Sequence, residues 1–286
     1  VSRSSQPPPV PAPLPVPTVD SHTHLDACGA TTPETVRAAL GRAESAGVGA
    51  VVTVADDLAS ARWVVEAATW DARLHAAVAL HPTRTKDFGE DQRSELERLA
   101  SDHGVVAVGE TGLDYYWDYS PPAAQREAFR WHIDLAKRLG KPLMIHDREA
   151  HDDVLAILES EGAPDAVVFH CFSGDAEVAR RCVDAGYVLS FAGPVTFRNA
   201  GALRKAARLV PDDALLVETD APFLTPHPFR GRPNEPYCAA YTVEGLAELR
   251  EQPVSVVADA ARRNAERVFG LRVAPAGERA SSPAGS

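Results

Sequence analysis

The chain has 286 residues, is 45% hydrophobic and carries a formal net charge of −11. That length suits one large α/β domain or two smaller ones. The acidic balance excludes a protein that coats duplex nucleic acid through a broad basic face, but not an enzyme that grips a few phosphates with local arginines.

No apolar run reaches bilayer length, and the N-terminus lacks the basic and apolar regions of a secretory signal. The four cysteines, Cys28, Cys171, Cys182 and Cys238, form no CxxC pair. Reduced thiols and a cytoplasmic location are expected. Residues 1–17 are rich in Pro and Ser and read as a disordered, polyproline-like tail. Residues 18–272 read as one folded domain, and residues 273–286 as a second disordered tail.

Within the domain, short apolar runs alternate with helical patterns. The runs are Thr18–His22, Ala50–Ala55, Leu74–Leu80, Val105–Gly109, Pro142–His146, Ala166–His170, Tyr187–Phe191 and Leu215–Thr219. Near-continuous apolarity over so few residues predicts strands buried on both faces. The first helix is expected at Pro33–Ala46, with Thr32 as N-cap, Pro33 in the first turn and Gly47 past the end. Further helices are expected at Leu58–Thr69, Asp91–Asp102, Pro122–Leu139, Glu149–Glu161, Asp175–Ala185 and Asn199–Leu209. Thr242–Arg250 and Val254–Phe269 close the chain. Eight β-α units predict an α/β fold of the (β/α)8 TIM-barrel type. A doubly wound open sheet is the competing architecture, and the absence of GxGxxG after the first strand weakens its dinucleotide-binding form.

Active sites of this fold sit at the carboxyl ends of the strands. His22 and His24 end the first strand, two residues apart and so on one face. Glu110, His146, His170 and Asp220 fall at the ends of strands four, five, six and eight. Singly, each has an ordinary explanation: a satisfied core histidine, a salt bridge, a turn. Jointly, six such groups at one barrel end suit two divalent ions. His22, His24 and Asp220 are assigned to one ion, His146 and His170 to the other, and Glu110 to the bridge. Glu110 and Asp220 are the expected catalytic groups, with Asp220 orienting a water or taking its proton. Imidazole ligands favour Zn²⁺ or Mn²⁺ over Mg²⁺. No predicted strand end carries Lys, which argues against Schiff-base chemistry and against a carboxylated-lysine bridge.

Substrate contacts are expected from Arg148, a planar phosphate fork, and from Arg230, Arg232 and Asn234 in the loop after strand eight. Tyr115, Tyr116 and Trp117 follow strand four, where rim aromatics stack on bases or cover the barrel mouth. Ser173-Gly174 offers backbone N–H groups to an anion, unless Ser173 or Asp175 caps the helix instead.

Taken in order, the chain resembles the TatD family of metal-dependent deoxyribonucleases. The matching pieces are Asp20-Ser21-His22-Thr23-His24, Gly109-Glu110-Thr111-Gly112-Leu113-Asp114-Tyr115, Ile145-His146-x-Arg148, His170-Cys171-Phe172-Ser173-Gly174, Gly193-Pro194-Val195-Thr196-Phe197 and Glu218-Thr219-Asp220-Ala221-Pro222-Phe223-Leu224. Arg230-Gly231-Arg232-x-Asn234-x-Pro236 matches as well. The resemblance implies a TIM barrel, a two-metal site and hydrolysis of DNA phosphodiesters. It also implies 3′-to-5′ exonuclease action, single-stranded substrates, and often Mg²⁺, against the preference of the ligand chemistry. Two positions depart from the family pattern. Thr83 follows Leu80-His81-Pro82 where a histidine is common, leaving His81 as a substrate-side candidate. Asp147 stands where Cys is common. The rival functions are a barrel hydrolase of another ester or amide, such as an aminoacyl-tRNA deacylase, and a non-catalytic metal-binding interaction protein.

Overall fold

The computed structural model describes residues 6–273. Eight parallel strands run in the order β1 to β8: Thr18–Thr23, Val48–Val54, Leu74–Val78, Val105–Asp114, Leu143–Arg148, Val167–Phe169, Val188–Phe191 and Leu215–Val217. Between them lie α1 (Pro33–Ser45), α2 (Leu58–Ala67), α3 (Glu90–Ala100), α4 (Pro122–Leu139), α5 (His151–Glu161), α6 (Ala176–Asp184) and α7 (Gly201–Leu209). Helices α8 (Ala239–Arg250) and α9 (Val254–Phe269) follow β8. The ring closes just past β8, where Thr23 bridges Ala221 and the Asp220 and His24 amides donate to His22 O and Ala221 O. The chain is thus the (β/α)8 barrel that the alternation implies. Among the described residues, no helix is long and apolar enough to cross a membrane.

Local chemistry accounts for the element ends. Thr32 caps α1 in a reciprocal pair with Thr35, with Pro33 in the first turn. Asp57 and Ser60 do the same for α2. Gly140 ends α4 in the left-handed conformation. Helix faces bury Leu96, Phe129, Ile133, Leu135 and Val243 against the strands, each large side chain contributing about 1.5–3 kcal/mol. A second cluster fills the barrel under the site. Val19, Val52, Ala77, Met144, Val168 and Leu216 meet Val268, Phe269 and Leu271 from the end of α9 and beyond.

Two expectations change. Strand β4 was expected to stop at Gly109 but continues to Asp114. Its register against β5 shifts between Val108 and Thr111. Gly109, inside the shifted stretch, permits the close approach to β5, where a Cβ would clash with Met144, and Gly112 beyond it, at φ +132°, lies as close to His146 O. Glu110 is therefore inside a strand rather than at its end. The Pro-rich stretch, expected to be a loose tail, lies against the barrel over residues 6–17. Pro8 and Leu14 are buried, Leu14 N donates to Ala46 O, and the hydroxyls of Tyr237 and Tyr241 donate to Pro8 O and Pro9 O. Prolines lack amide donors but keep carbonyls, and the two tyrosines, Tyr237 buried and Tyr241 half-buried, supply the donors. The C-terminal tail expected over 273–286 lies, beyond Val273, outside the described residues.

Candidate metal centre

All six predicted ligands converge at the carboxyl end of the barrel, around Glu110. This carboxylate is 3% exposed. Its Oε2 lies 3.2 Å from His22 Nε2 and 3.8 Å from His24 Nε2. Its Oε1 lies 2.7 Å from His146 Nδ1 and 2.9 Å from His170 Nε2. Asp220 joins the first set, with Oδ1 3.8 Å from His22 Nε2 and 3.6 Å from His24 Nε2. His22 and His24 face one carboxylate oxygen, and His146 and His170 the other.

The histidines are oriented by what holds their far nitrogens. His24 Nδ1 donates to Val54 O at 3.0 Å, which turns Nε2 toward the centre. His170 Nδ1 is 3.2 Å from Glu218 Oε1, and His146 Nε2 is 2.9 Å from Asp114 Oδ2. Carboxylates and carbonyls behind imidazoles are what a metal-ligating histidine requires, because they fix its tautomer and ring plane. His22 Nδ1 rests on Met144 Sδ at 3.1 Å, and its ring stacks on His170 at 3.9 Å.

This donor set fits a divalent cation. Four imidazole nitrogens face inward, and His22 Nε2 and His24 Nε2 are 3.3 Å apart. Ligands about 2.0–2.1 Å from one tetrahedral ion stand roughly 3.3–3.4 Å from each other. The charge balance agrees. Burial works against ionised Glu110, but the surrounding His170, His81 and His22 rings and the hydrogen bond from His146 outweigh it, holding the carboxyl well below its usual range. Asp220 is likewise held down despite burial, through the His24 hydrogen bond and the neighbouring imidazoles. Burial lowers His24, yet Asp220 and Glu110 push it up to about 9. Buried carboxylates that stay ionised give the centre negative charge for a cation to match.

His81 differs from these four. Its Nδ1 accepts the Thr83 amide at 3.2 Å and meets Thr83 Oγ1 at 2.7 Å. A neutral ring therefore turns an N–H toward the centre, where Nε2 lies 3.4 Å from Glu110 Oε1. Thr83, the departure from the family pattern, thus anchors His81.

Sequence reasoning missed Asp114, Glu218 and Asp20. Asp114 joins His81 and His146 in a further cluster of metal-capable groups. Glu218 is fully buried and also accepts the Cys171 amide. Asp20 takes the amide and hydroxyl of Thr219 at 2.8 and 2.6 Å, tying β1 to the segment carrying Asp220. Each sits an even number of residues from a predicted ligand, Asp114 four after Glu110, Glu218 two before Asp220 and Asp20 two before His22. The period-two rule applied past the apolar runs would have found them.

Of the predicted substrate contacts, three arginines stand free of carboxylates among the described residues. Arg148 lies over the Tyr116 ring at 3.9 Å, Arg230 over Phe197 at 4.6 Å and Arg232 over Phe229 at 5.3 Å. Two residues are reassigned. Tyr115 gives its hydroxyl to Asp153 at 2.5 Å and receives Arg126, so it ties α4 to α5. Odd spacing from Glu110 turns it away from the centre. Asn234 is 1% exposed and donates to Thr219 O and Phe223 O at 2.9 and 2.6 Å. It braces the loop instead of reaching substrate. Asn234→Ala is expected to destabilise the fold by about 1–3 kcal/mol by orphaning these carbonyls, read as a lower urea midpoint with an unchanged slope. At the helix start after Ser173-Gly174, Asp175 is the N-cap and accepts the Glu177 and Val178 amides.

A barrel with clustered His, Glu and Asp at its carboxyl mouth defines a metal-dependent hydrolase. The family model described as TatD related DNase matches residues 19–270, and the chain belongs to that family. The metal-dependent hydrolase TatD of Mycobacterium tuberculosis is 60% identical over 258 residues, covering 88% of this chain and 98% of the relative. YabD of Bacillus subtilis, also named a metal-dependent hydrolase, is 42% identical over 252 residues, covering 87% and 98%. The crystal structure of YjjV, a TatD homologue from Escherichia coli, superposes with a TM-score of 0.82 at 32% identity, covering 89% of this chain and 98% of that one.

Proposed function

We propose that this hydrolase cleaves phosphodiester bonds of DNA, as a 3′-to-5′ exodeoxyribonuclease, with two divalent ions held on either side of Glu110. The observation that carries the reading is three arginines, at the carboxyl end of β5 and in the loop after β8, each laid on an aromatic face and none paired with a carboxylate among the described residues. Most arginines elsewhere have acidic partners, as Arg62 has Glu95 and Arg250 has Asp212. A guanidinium held by its face keeps its edge donors for a bidentate oxyanion, and phosphate matches that fork. The family name supports DNA as the phosphodiester.

His22, His24 and Asp220 would hold one ion, His146 and His170 the other, with Glu110 between them. Lewis-acid activation of a water near neutral pH is the chemistry that ions bound there would supply. The chain's own groups do the rest. Asp220 takes the proton of the attacking water. The His81 N–H donates to a phosphate oxygen. Arg148 fixes the phosphate, and Asp114 and Glu218 keep His146 and His170 in the required tautomers.

A 5′-labelled oligonucleotide incubated under Mg²⁺, Mn²⁺ and Zn²⁺ titrations is expected to shorten stepwise from its 3′ end. Protein that is fully metal-loaded, leaves DNA intact and hydrolyses another ester would overturn the reading. Arg148→Ala is expected to raise KM by roughly tenfold, the worth of one charged hydrogen bond, with metal content by mass spectrometry unchanged. Equal loss of metal would place Arg148 among the groups that build the centre.

A further inference from the structure

The rim beside Arg148 is apolar in an unusual way. Tyr116, Trp117 and Tyr119 are 50%, 42% and 62% exposed. Tyr116 meets Trp117 edge-on at 4.8 Å, and Trp117 lies nearly parallel to Tyr119 at 5.5 Å. Exposed aromatics in contiguous array are costly on a solvated surface and mark a binding face. These rings belong to the loop that carries β4 into α4, at the same barrel end as the metal centre.

The loop is pinned. Asp114 Oδ1 accepts the Tyr116 and Trp117 amides at 3.0 and 2.9 Å, while its Oδ2 holds His146. Gln125 exchanges hydrogen bonds with both backbone groups of Asp114 and also donates to Ser120 O. One carboxylate therefore fixes the aromatic ledge in register with a metal ligand. Arg148, two residues past His146 on β5, lies over Tyr116 and reaches within 5.8 Å of Trp117.

We propose that Tyr116, Trp117 and Tyr119, with Arg148, form a subsite for the nucleobase next to the scissile phosphate. This inference rests on the phosphodiesterase reading above. The occupant follows from what the ledge combines. Its rings offer flat π surfaces, which suit an unstacked base and discriminate little between bases. Arg148 adds unpaired in-plane donors that a base edge or its phosphate accepts. An apolar peptide would use the rings and waste the guanidinium. A bare phosphate would do the reverse. With a net charge of −11 the chain has little long-range pull on a polyanion, so stacking supplies affinity that charge does not.

The test compares a thymidine tetramer with a tetramer of the same backbone whose terminal sugar is abasic, under metal-loaded conditions. In Trp117→Ala, KM for the thymidine tetramer is expected to rise about tenfold, the worth of one stacked base, with kcat within twofold. The abasic substrate is expected to show the higher KM already in the unmodified protein and no further change in the variant. Trp117→Phe, which keeps a ring, is expected to restore most of the difference. Fluorescence anisotropy of labelled phosphorothioate tetramers gives a second readout that needs no turnover. Tighter binding of the base-bearing tetramer, lost in Trp117→Ala, supports the subsite even if the protein cleaves neither DNA, an outcome that would sink only the nuclease reading. Equal binding of both tetramers, or equal effects of the substitution on both, would overturn the subsite while leaving phosphodiester cleavage standing.

Discussion

Glu110→Gln is expected to abolish hydrolysis, with a fall of at least about a thousandfold, since metal Lewis acidity contributes several kcal/mol to such reactions. The replacement is nearly isosteric, but a neutral amide presents only one oxygen. The oxygen turned toward His22 and His24 and the one turned toward His146 and His170 then cannot both be acceptors. Metal content is expected to drop as turnover does, because one side of the carboxylate loses its anionic ligand. The fold is expected to survive. The barrel core does not depend on this side chain, and the melting temperature is expected to shift by less than about 5 °C. Gross unfolding on calorimetry would instead make Glu110 a structural group.

Asp220→Asn separates chemistry from metal binding. Asp220 sits at φ +52°, a left-handed conformation that Asn tolerates, so backbone strain is not introduced. The amide oxygen can still face His22 and His24, but it cannot take a proton. Turnover is expected to fall by about 10²–10⁴-fold, the range for loss of a general base, while metal content stays near that of the unmodified protein. Loss of metal in parallel with activity would make Asp220 chiefly a ligand.

Much of the centre was legible because its geometry follows from simple periodicities. Eight apolar runs imply eight strands, parallel strands present their ends together, and residues two apart share a face. His22, His24, His146, His170 and Asp220 all fall at such ends. Glu110 was found for a slightly wrong reason: its strand does not end there but shifts register and runs on to Asp114. That extension hid Asp114 and made Tyr115 look like a rim residue when its hydroxyl serves Asp153 and Arg126.

What the linear chain could not convey is partnership across distance. Asn234 and Arg232 stand two apart in one polar loop and look alike as phosphate contacts. Only the folded loop shows that the asparagine turns inward to Thr219 O and Phe223 O while the arginine lies on Phe229. The Pro-rich stretch has no periodicity that announces packing, yet Tyr237 and Tyr241, over 200 residues away, donate to its carbonyls. Residue pattern alone determined the barrel and which side chains gather at its mouth, because strand burial and side-chain alternation are local properties. Which groups stand behind those ligands, and which arginines remain free, was decided by tertiary structure, because a hydrogen bond depends on where both of its partners come to rest.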